Sequence, residues 1–352
     1  MAEATSAHPQ GAHRVRRGIP RGNLGVTLII SLSIILAIIS AIVSSRFATA
    51  MLRWSSGQWI RDYGPHLHER KSGTATMGGM VILLLWGISL AILRTHLAKS
   101  SLFIFTSALL FGGIGLLDDI MSQVHRRSLG LLPRQKIILS LLATLALFLA
   151  FPSSVHTAIL VPFSHLTFVL PRAGFFFLLA GVFLATTNSM NLTDGLDGLA
   201  TGTSLIILAG YAVLFHDHAT LATLLPLIGT LTGFLWVNTH PARLFLGDVG
   251  SFALGGAVAA LAITTGTSLS LPLLAGLLVA ESSSVILQVT YFKLTGRRVF
   301  KISPFHHHLE AAAGIDYPYL LPNIEWPEAK IVMRLWIVQG ILVAIGVISV
   351  YR

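Results

Sequence analysis

Ten apolar stretches decide what this chain of 352 residues can become. They run at about 24–45, 77–93, 101–117, 135–151, 173–190, 200–216, 219–237, 250–267, 270–290 and 331–350. A bilayer core is crossed by roughly 20 apolar residues in a helix, with about 17 as a minimum. Lipid offers backbone N–H and C=O groups no water, so only helices and closed barrels cross it. A barrel would show alternating segments of about ten residues, and these runs are longer and continuous. The expected fold is an all-α polytopic membrane protein of about ten transmembrane helices. Residues 24–352 form one transmembrane domain, and residues 1–23 read as a basic, disordered tail. Composition agrees: 54% of the chain is hydrophobic and 11% charged, where soluble proteins carry about 25% charged residues. There is no cysteine, which removes disulfides, thiolate metal ligands and cysteine nucleophiles. The net charge of +10 reads as cytoplasmic loops facing anionic headgroups. No nucleic-acid-binding motif is present, so no nucleic acid is expected as a partner.

Lys and Arg set the orientation. Numbered by the span each follows, the odd loops hold fifteen basic residues and the even loops only Arg94, Lys99 and Arg172. This bias places the odd loops in the cytoplasm and both termini outside. Arg14, Arg16, Arg17 and Arg21 in the tail argue the other way, and the agreement of several loops outweighs them. The first apolar run is too long for a signal-peptide core and stands as a span.

The chemistry-bearing residues fall in the odd loops. "GLLDD" ends the third span with Asp118 and Asp119 side by side. Adjacent acids repel unless a metal or a basic side chain sits between them. A solvated helix end is the bland account, but ionisable groups at membrane depth usually serve a function. "NSMNLTDGLDGLATG" carries Asn191, Asp194 and Asp197 at steps of three, which a helical turn would place roughly on one face. Carboxylate and amide oxygens are hard ligands suited to Mg²⁺ with phosphates. "WVNTHPARLFLGDVGS" offers Asn238, Phe245 and Asp248; "SPFHHHLE" offers His306, His307 and His308. Three consecutive histidines cannot all face one way, and some could donate to phosphate oxygens. "HERKSGTATMGG" brings Lys71 and Thr76 without the spacing of a P-loop. Together the clusters suit a phosphorylated, nucleotide-containing substrate with Mg²⁺ and a lipid partner, met at one face of the membrane.

"KSGTATMGG", "GLLDD", "NLTDGLDGLA", "FLGDVGS" and "PFHHHLE", in that order, resemble the polyprenyl-phosphate N-acetylhexosamine-1-phosphate transferases, specifically the phospho-N-acetylmuramoyl-pentapeptide transferase branch. The resemblance runs from about Lys71 to the last span. It implies ten spans, a cytoplasmic active site in the bacterial inner membrane, and Mg²⁺. It also implies the conversion of UDP-MurNAc-pentapeptide and undecaprenyl phosphate to lipid I and UMP, the first membrane step of peptidoglycan synthesis. By motif, Asp118 and Asp119 match the essential acidic pair and Asp248 a third acid and Mg²⁺ ligand, with Asp119 near the metal. Lys136 and the histidine triplet match further catalytic positions. Phe245 matches a uracil-stacking ring, with Lys71, Asn238 and Asp197 in the nucleoside pocket. Thr76, Asn191 and Asp194 line the substrate side. A homodimer is suggested by the resemblance alone.

Two departures stand out. Ala75 replaces a usual proline, and "AAAGIDYPYLLPNI" intervenes between "HHHLE" and "EWPEAK". Two other readings share features of this sequence. A UDP-GlcNAc-dependent sister transferase would carry the same acids. A secondary transporter would also hold intramembrane acids, but near the midplane between repeats, and no repeat is visible here. Two mechanisms are open: an aspartate nucleophile giving a phospho-enzyme, or direct attack by the lipid phosphate with an aspartate as base. A phosphate monoester with a second pKa of about 6 leaves a base little to do at neutral pH, and direct attack, with Asp118 orienting the lipid phosphate, is the expectation.

Overall fold

The computed structural model describes residues 21–53, 73–125, 130–152, 158–164, 166–311, 317–322 and 324–351. Lys71, all but the last three residues of the basic tail, and residues 312–316 of the intervening segment lie outside them. Ten substantial helices occupy the ten apolar stretches: α1 (Arg21–Arg53), α2 (Gly79–Ile92), α3 (Lys99–His125), α4 (Pro133–Ala150), α5 (Arg172–Thr193), α6 (Leu199–Leu214), α7 (His218–Asn238), α8 (Gly247–Thr264), α10 (Gly276–Thr295) and α12 (Glu328–Val350). Two four-residue helices, α9 (Leu271–Leu274) and α11 (Phe305–His308), intervene. Eight helices are long and apolar enough to cross a membrane, while α2 and α6 have 14 and 16 residues. At 1.5 Å per residue those two reach only about 21–24 Å, short of a hydrocarbon core of about 30 Å. The chain is an all-α polytopic membrane protein.

Two boundaries differ from expectation. The first helix already begins at Arg21, inside the expected tail. The third runs on to His125, so Asp118 and Asp119 lie within α3, two turns before its end. Nothing between them and His125 breaks a helix: "DDIMSQVH" lacks glycine and proline.

Helix α8 is the axis of the bundle. Every residue from Val249 to Ile263 is buried, and α3, α5 and α2 pack along it. Lipid is as apolar as a leucine side chain, so helices associate here by close approach of small residues. The sequence "GDVGSFALGGAVAALAIT" supplies them. Gly115 of α3 faces the first turn of α8 so closely that an added methyl would overlap the carbonyl of Asp248.

The ninth expected span is broken. A stop at Ala275 separates α9 from α10, and the side chain of Gln339 on α12 closes the gap. Its Oε1 accepts from Leu277 N–H at 2.9 Å and its Nε2 donates to Leu274 O at 2.8 Å. Away from the acidic clusters, a small antiparallel hairpin, β1 (Ala158–Leu160) and β2 (Thr167–Val169), joins α4 to α5. It ties that region together: Leu160 N–H donates to Gly266 O at 2.9 Å, and Phe163 N–H to Ser349 O at 2.8 Å.

Candidate active site

The acids of α3 meet the start of α4, the end of α5 and the first turn of α8. Lys136 stands one turn into α4, whose start is set by Pro133 and by Gln135 Oε1 accepting the Leu132 N–H at 2.8 Å. Its Nζ reaches Asp118 Oδ2 at 3.0 Å and Asp248 Oδ2 at 2.8 Å. Asp118 also accepts the backbone N–H of Leu131 at 2.6 Å, which fixes the loop that presents Lys136. Asn191, in the last turn of α5, donates to Asp248 Oδ1 at 2.7 Å and to Ser251 Oγ at 3.1 Å. One ammonium and one amide thus grip the two oxygens of Asp248.

Asp118 and Asp119 face different ways, because neighbours on a helix are rotated by about 100°. Asp119 does not join Lys136. Its carboxylate accepts the backbone N–H groups of Asp248 at 3.2 Å and Val249 at 2.9 Å. The motif implies a place near a metal for Asp119; in the structure its carboxylate lies on the backbone at the start of α8.

The step of three from Asn191 to Asp197 does not form one face. Helix α5 ends at Thr193, Asp194 caps it, and a turn leads to Gly198 at φ +80°. Asp197 is turned into a second cluster. Its Oδ2 accepts from Ala242 N–H and from the His240 ring, both at 3.0 Å, and Glu328 Oε1 accepts its backbone N–H at 2.7 Å. Asn238 is buried, and both ends of its amide are engaged: Thr201 Oγ1 donates to it at 2.7 Å, and it donates to Leu244 O at 3.0 Å. It shapes the segment carrying Phe245 instead of opening to solvent. Phe245 is half-buried, with its backbone paired to Ala75 and Gly78. The Ala75–Leu244 bridge forms without the proline expected at 75. Thr76 is buried next to Gly247, its hydroxyl without a hydrogen-bond partner among the described residues.

The histidines divide three ways. His306 is fully buried, and its ring Nδ1 lies 3.1 Å from Glu281 Oε2 of α10, itself fully buried. His307 is half-buried and pairs through Nδ1 with Glu310 Oε2 at 2.5 Å. Both rings pack against Gly195 of the "DGLDG" turn, which joins them to the acidic loop. His308 points away. Its Nδ1 accepts the Lys301 N–H at 3.1 Å, and its ring is surrounded by Phe300, Phe305 and Tyr319. The three rings face different ways, as consecutive positions must, and His308 is held as an acceptor inside its own loop.

Glu281 is the residue that sequence reasoning passed over. It is the single acid within "GLLVAESSSVIL", read simply as part of a span. The signal was available, because a lone carboxylate at membrane depth needs a partner, and His306 supplies it.

Residues 317–321 of the intervening segment pair with this loop. Tyr319 bridges Arg298, and the Leu320 and Leu321 N–H groups donate to Arg298 O and Val299 O at 3.0 Å. The Tyr317 hydroxyl donates to Lys301 O at 2.9 Å. Lys301 is buried and its ammonium donates to Glu310 O; burial pushes it below the usual lysine range.

The comparisons with known proteins bear on what this arrangement is. A phospho-N-acetylmuramoyl-pentapeptide-transferase of Bacillus thuringiensis (strain Al Hakam) is 38% identical over 298 residues, covering 83% of this chain and 88% of that protein. One of Clostridium botulinum (strain Eklund 17B / Type B) is 39% identical over 298 residues, 83% of this chain and 87% of its own. The chain belongs to the phospho-N-acetylmuramoyl-pentapeptide-transferase family. The model of glycosyl transferase family 4 matches residues 101–266, a stretch that holds Asp118, Asp119, Lys136, Asn191 and Asp248. The chain is thus an enzyme, a multi-pass membrane transferase.

Within this transferase, His308 makes its loop sensitive to acid. Burial, reinforced by the Lys301 charge, holds its imidazole below the usual value of 6.5. The neutral ring accepts the Lys301 N–H, so its contribution to stability is complete above about pH 6.5, where an unfolded histidine is also neutral. It is lost as pH falls from there toward the lower folded value, because the unfolded state then binds the extra proton. The wild-type melting temperature is expected to drop between pH 7 and 5 more steeply than that of His308→Gln. Parallel curves for the two proteins would refute this.

Proposed function

We propose that this enzyme transfers phospho-MurNAc-pentapeptide from UDP-MurNAc-pentapeptide to undecaprenyl phosphate, with Mg²⁺, giving lipid I and UMP. The reading places it in the bacterial inner membrane with the Asp248 site facing the cytoplasm and both termini outside. The observation that carries it is the grip of Lys136 and Asn191 on Asp248, with Asp118 on the same ammonium. The family membership supports the substrates, and the excess of Lys and Arg in the odd loops supports the orientation.

The residues present fit a Mg²⁺ ion. Asp118, Asp119 and Asp248 set three carboxylates against the single ammonium of Lys136, an imbalance that a divalent ion would offset. The donors are hard oxygens, as Mg²⁺ requires. Asp248 and Asp118 would hold it, and when bound it offsets charge on the donor's pyrophosphate. In the reaction an oxygen of the lipid phosphate attacks the sugar-bearing phosphorus. A new P–O–P bond forms as the bond to the departing UMP breaks. Asp118 orients the incoming lipid phosphate, and Lys136 offsets charge on the equatorial oxygens. His307, the half-exposed member of the triplet, is the histidine placed to donate to a phosphate. Phe245 stacks on the uracil, and Thr76, Asp194 and Asp197 contribute to the nucleoside side of the site, a role the motif extends to Lys71.

The test is UMP release by purified protein with undecaprenyl phosphate, Mg²⁺ and either donor. Release with UDP-MurNAc-pentapeptide alone is expected. Release with UDP-GlcNAc instead would move the protein to the sister branch. Trapping a phospho-aspartate on the active enzyme would overturn direct attack.

A further inference from the structure

We infer that Asp119 is a positioning residue: it acts as the N-terminal cap of α8, supplied from another helix, and through that cap sets the place of Asp248. A helix start leaves backbone N–H groups unsatisfied, and in a membrane each such group costs several kcal/mol. Leu246, at the N-cap position of α8, offers no side-chain acceptor. The carboxylate of Asp119 fills that role, with one oxygen on Asp248 N–H and the other on Val249 N–H. An anion at this end also meets the positive pole of the helix.

Gly247 makes the approach possible. Its φ of +76° turns the chain into α8, and a methyl there would come within 2.8 Å of Asp119 Oδ2 and 3.1 Å of Thr76 Oγ1. The missing side chain leaves the space that the carboxylate occupies. Asp119 therefore holds the backbone of the residue whose side chain Lys136 and Asn191 grip. The two adjacent acids of α3 divide the work: Asp118 faces the ammonium, and Asp119 faces the helix that carries Asp248.

The inference rests on the proposed metal role of Asp248 in one arm of its test only. The first arm is thermal melting of the full chain in detergent with EDTA. A carboxylate present only to bind metal adds repulsion to an acidic cluster, so removing it would leave the metal-free melting temperature unchanged or raised. A cap makes the opposite demand. Asp119→Ala is expected to melt several degrees below wild type. Asp119→Asn keeps a carbonyl that can accept from Val249 N–H and is expected to fall between. If the alanine variant does not survive purification, the asparagine variant gives the same sign.

The second arm is Mn²⁺ binding followed by electron paramagnetic resonance without substrates. Displacing Asp248 by loss of its support should weaken Mn²⁺ by about 10–100-fold in Asp119→Ala, and by less in Asp119→Asn. Unchanged or raised metal-free melting temperatures for both variants would overturn the cap. Lowered melting with unchanged Mn²⁺ affinity would overturn the link to Asp248. Asp248→Ala serves as the control: if it binds Mn²⁺ like wild type, the metal reading of Asp248 fails, and the melting arm still judges the cap.

Discussion

Asp248→Asn is expected to lower UMP release by three orders of magnitude or more, at every Mg²⁺ concentration. The estimate combines the loss of a metal ligand with the loss of the Lys136 contact. Removing one element of transition-state charge stabilisation costs about 10²–10³-fold, and Asp248 supports two. The Lys136 ammonium is held by Asp118 and Asp248 at 3.0 and 2.8 Å. In the asparagine variant, one pole of that clamp is neutral, and the Asn191 amide at 2.7 Å meets either an oxygen or a second NH₂. Lys136→Met should fall by a similar factor for the complementary reason, leaving the Asp118 and Asp248 carboxylates without the cation that joins them. The measurement is turnover at saturating donor across a Mg²⁺ series. Recovery of Asp248→Asn at high Mg²⁺ would show that affinity alone had been lost and would contradict the expectation.

Gly115→Ala should damage the enzyme from a position that touches no substrate. A methyl there would overlap the Asp248 carbonyl and crowd the Val249 nitrogen, and both are backbone atoms of a helix buried on all sides. Side chains can rotate away from an intruder, but a buried helix must shift as a body. Overpacking of this kind typically costs about 1–3 kcal/mol. Here the shift also carries Asp248 away from Lys136. A lowered melting temperature and a loss of turnover approaching that of Asp248→Asn are expected together. Gly113→Ala, one turn-face away with open space around it, should be neutral in both. Equal behaviour of the two variants would remove the argument.

The helices were legible because lipid demands long apolar runs: a helix lies at each of the ten stretches, eight of them long enough to span among the described residues, and the ninth broken at Ala275. What carries a helix beyond its apolar run was harder to read. Residues 118–125 carry only Ile120, Met121 and Val124 among polar residues and form no continuous apolar run, yet the backbone continues through them, so the acidic pair looks like the end of a span and is part of α3. The spacing of Asn191, Asp194 and Asp197 suggested one face because periodicity assumes that the helix goes on. It stops at Thr193, and the three residues part company: Asn191 reaches Asp248 while Asp197 reaches His240. Asp118, Lys136 and Asp248 were nameable from their motifs, but that one ammonium joins both acids depends on how α4 packs against α3 and α5. Glu281 escaped notice because it sits as a lone acid inside a long span, and only the fold shows what lies opposite.

The break between α9 and α10 has a consequence for how the protein is made. The two backbone groups exposed at that break are satisfied by one side chain, Gln339, which lies in the final helix. A nascent chain that has threaded its first nine spans into the bilayer still carries those bare groups. They find their partner only once α12 has joined the bundle. Closing the seam therefore couples two distant parts of the chain: α9 and α10 reach full backbone pairing only through a side chain from α12.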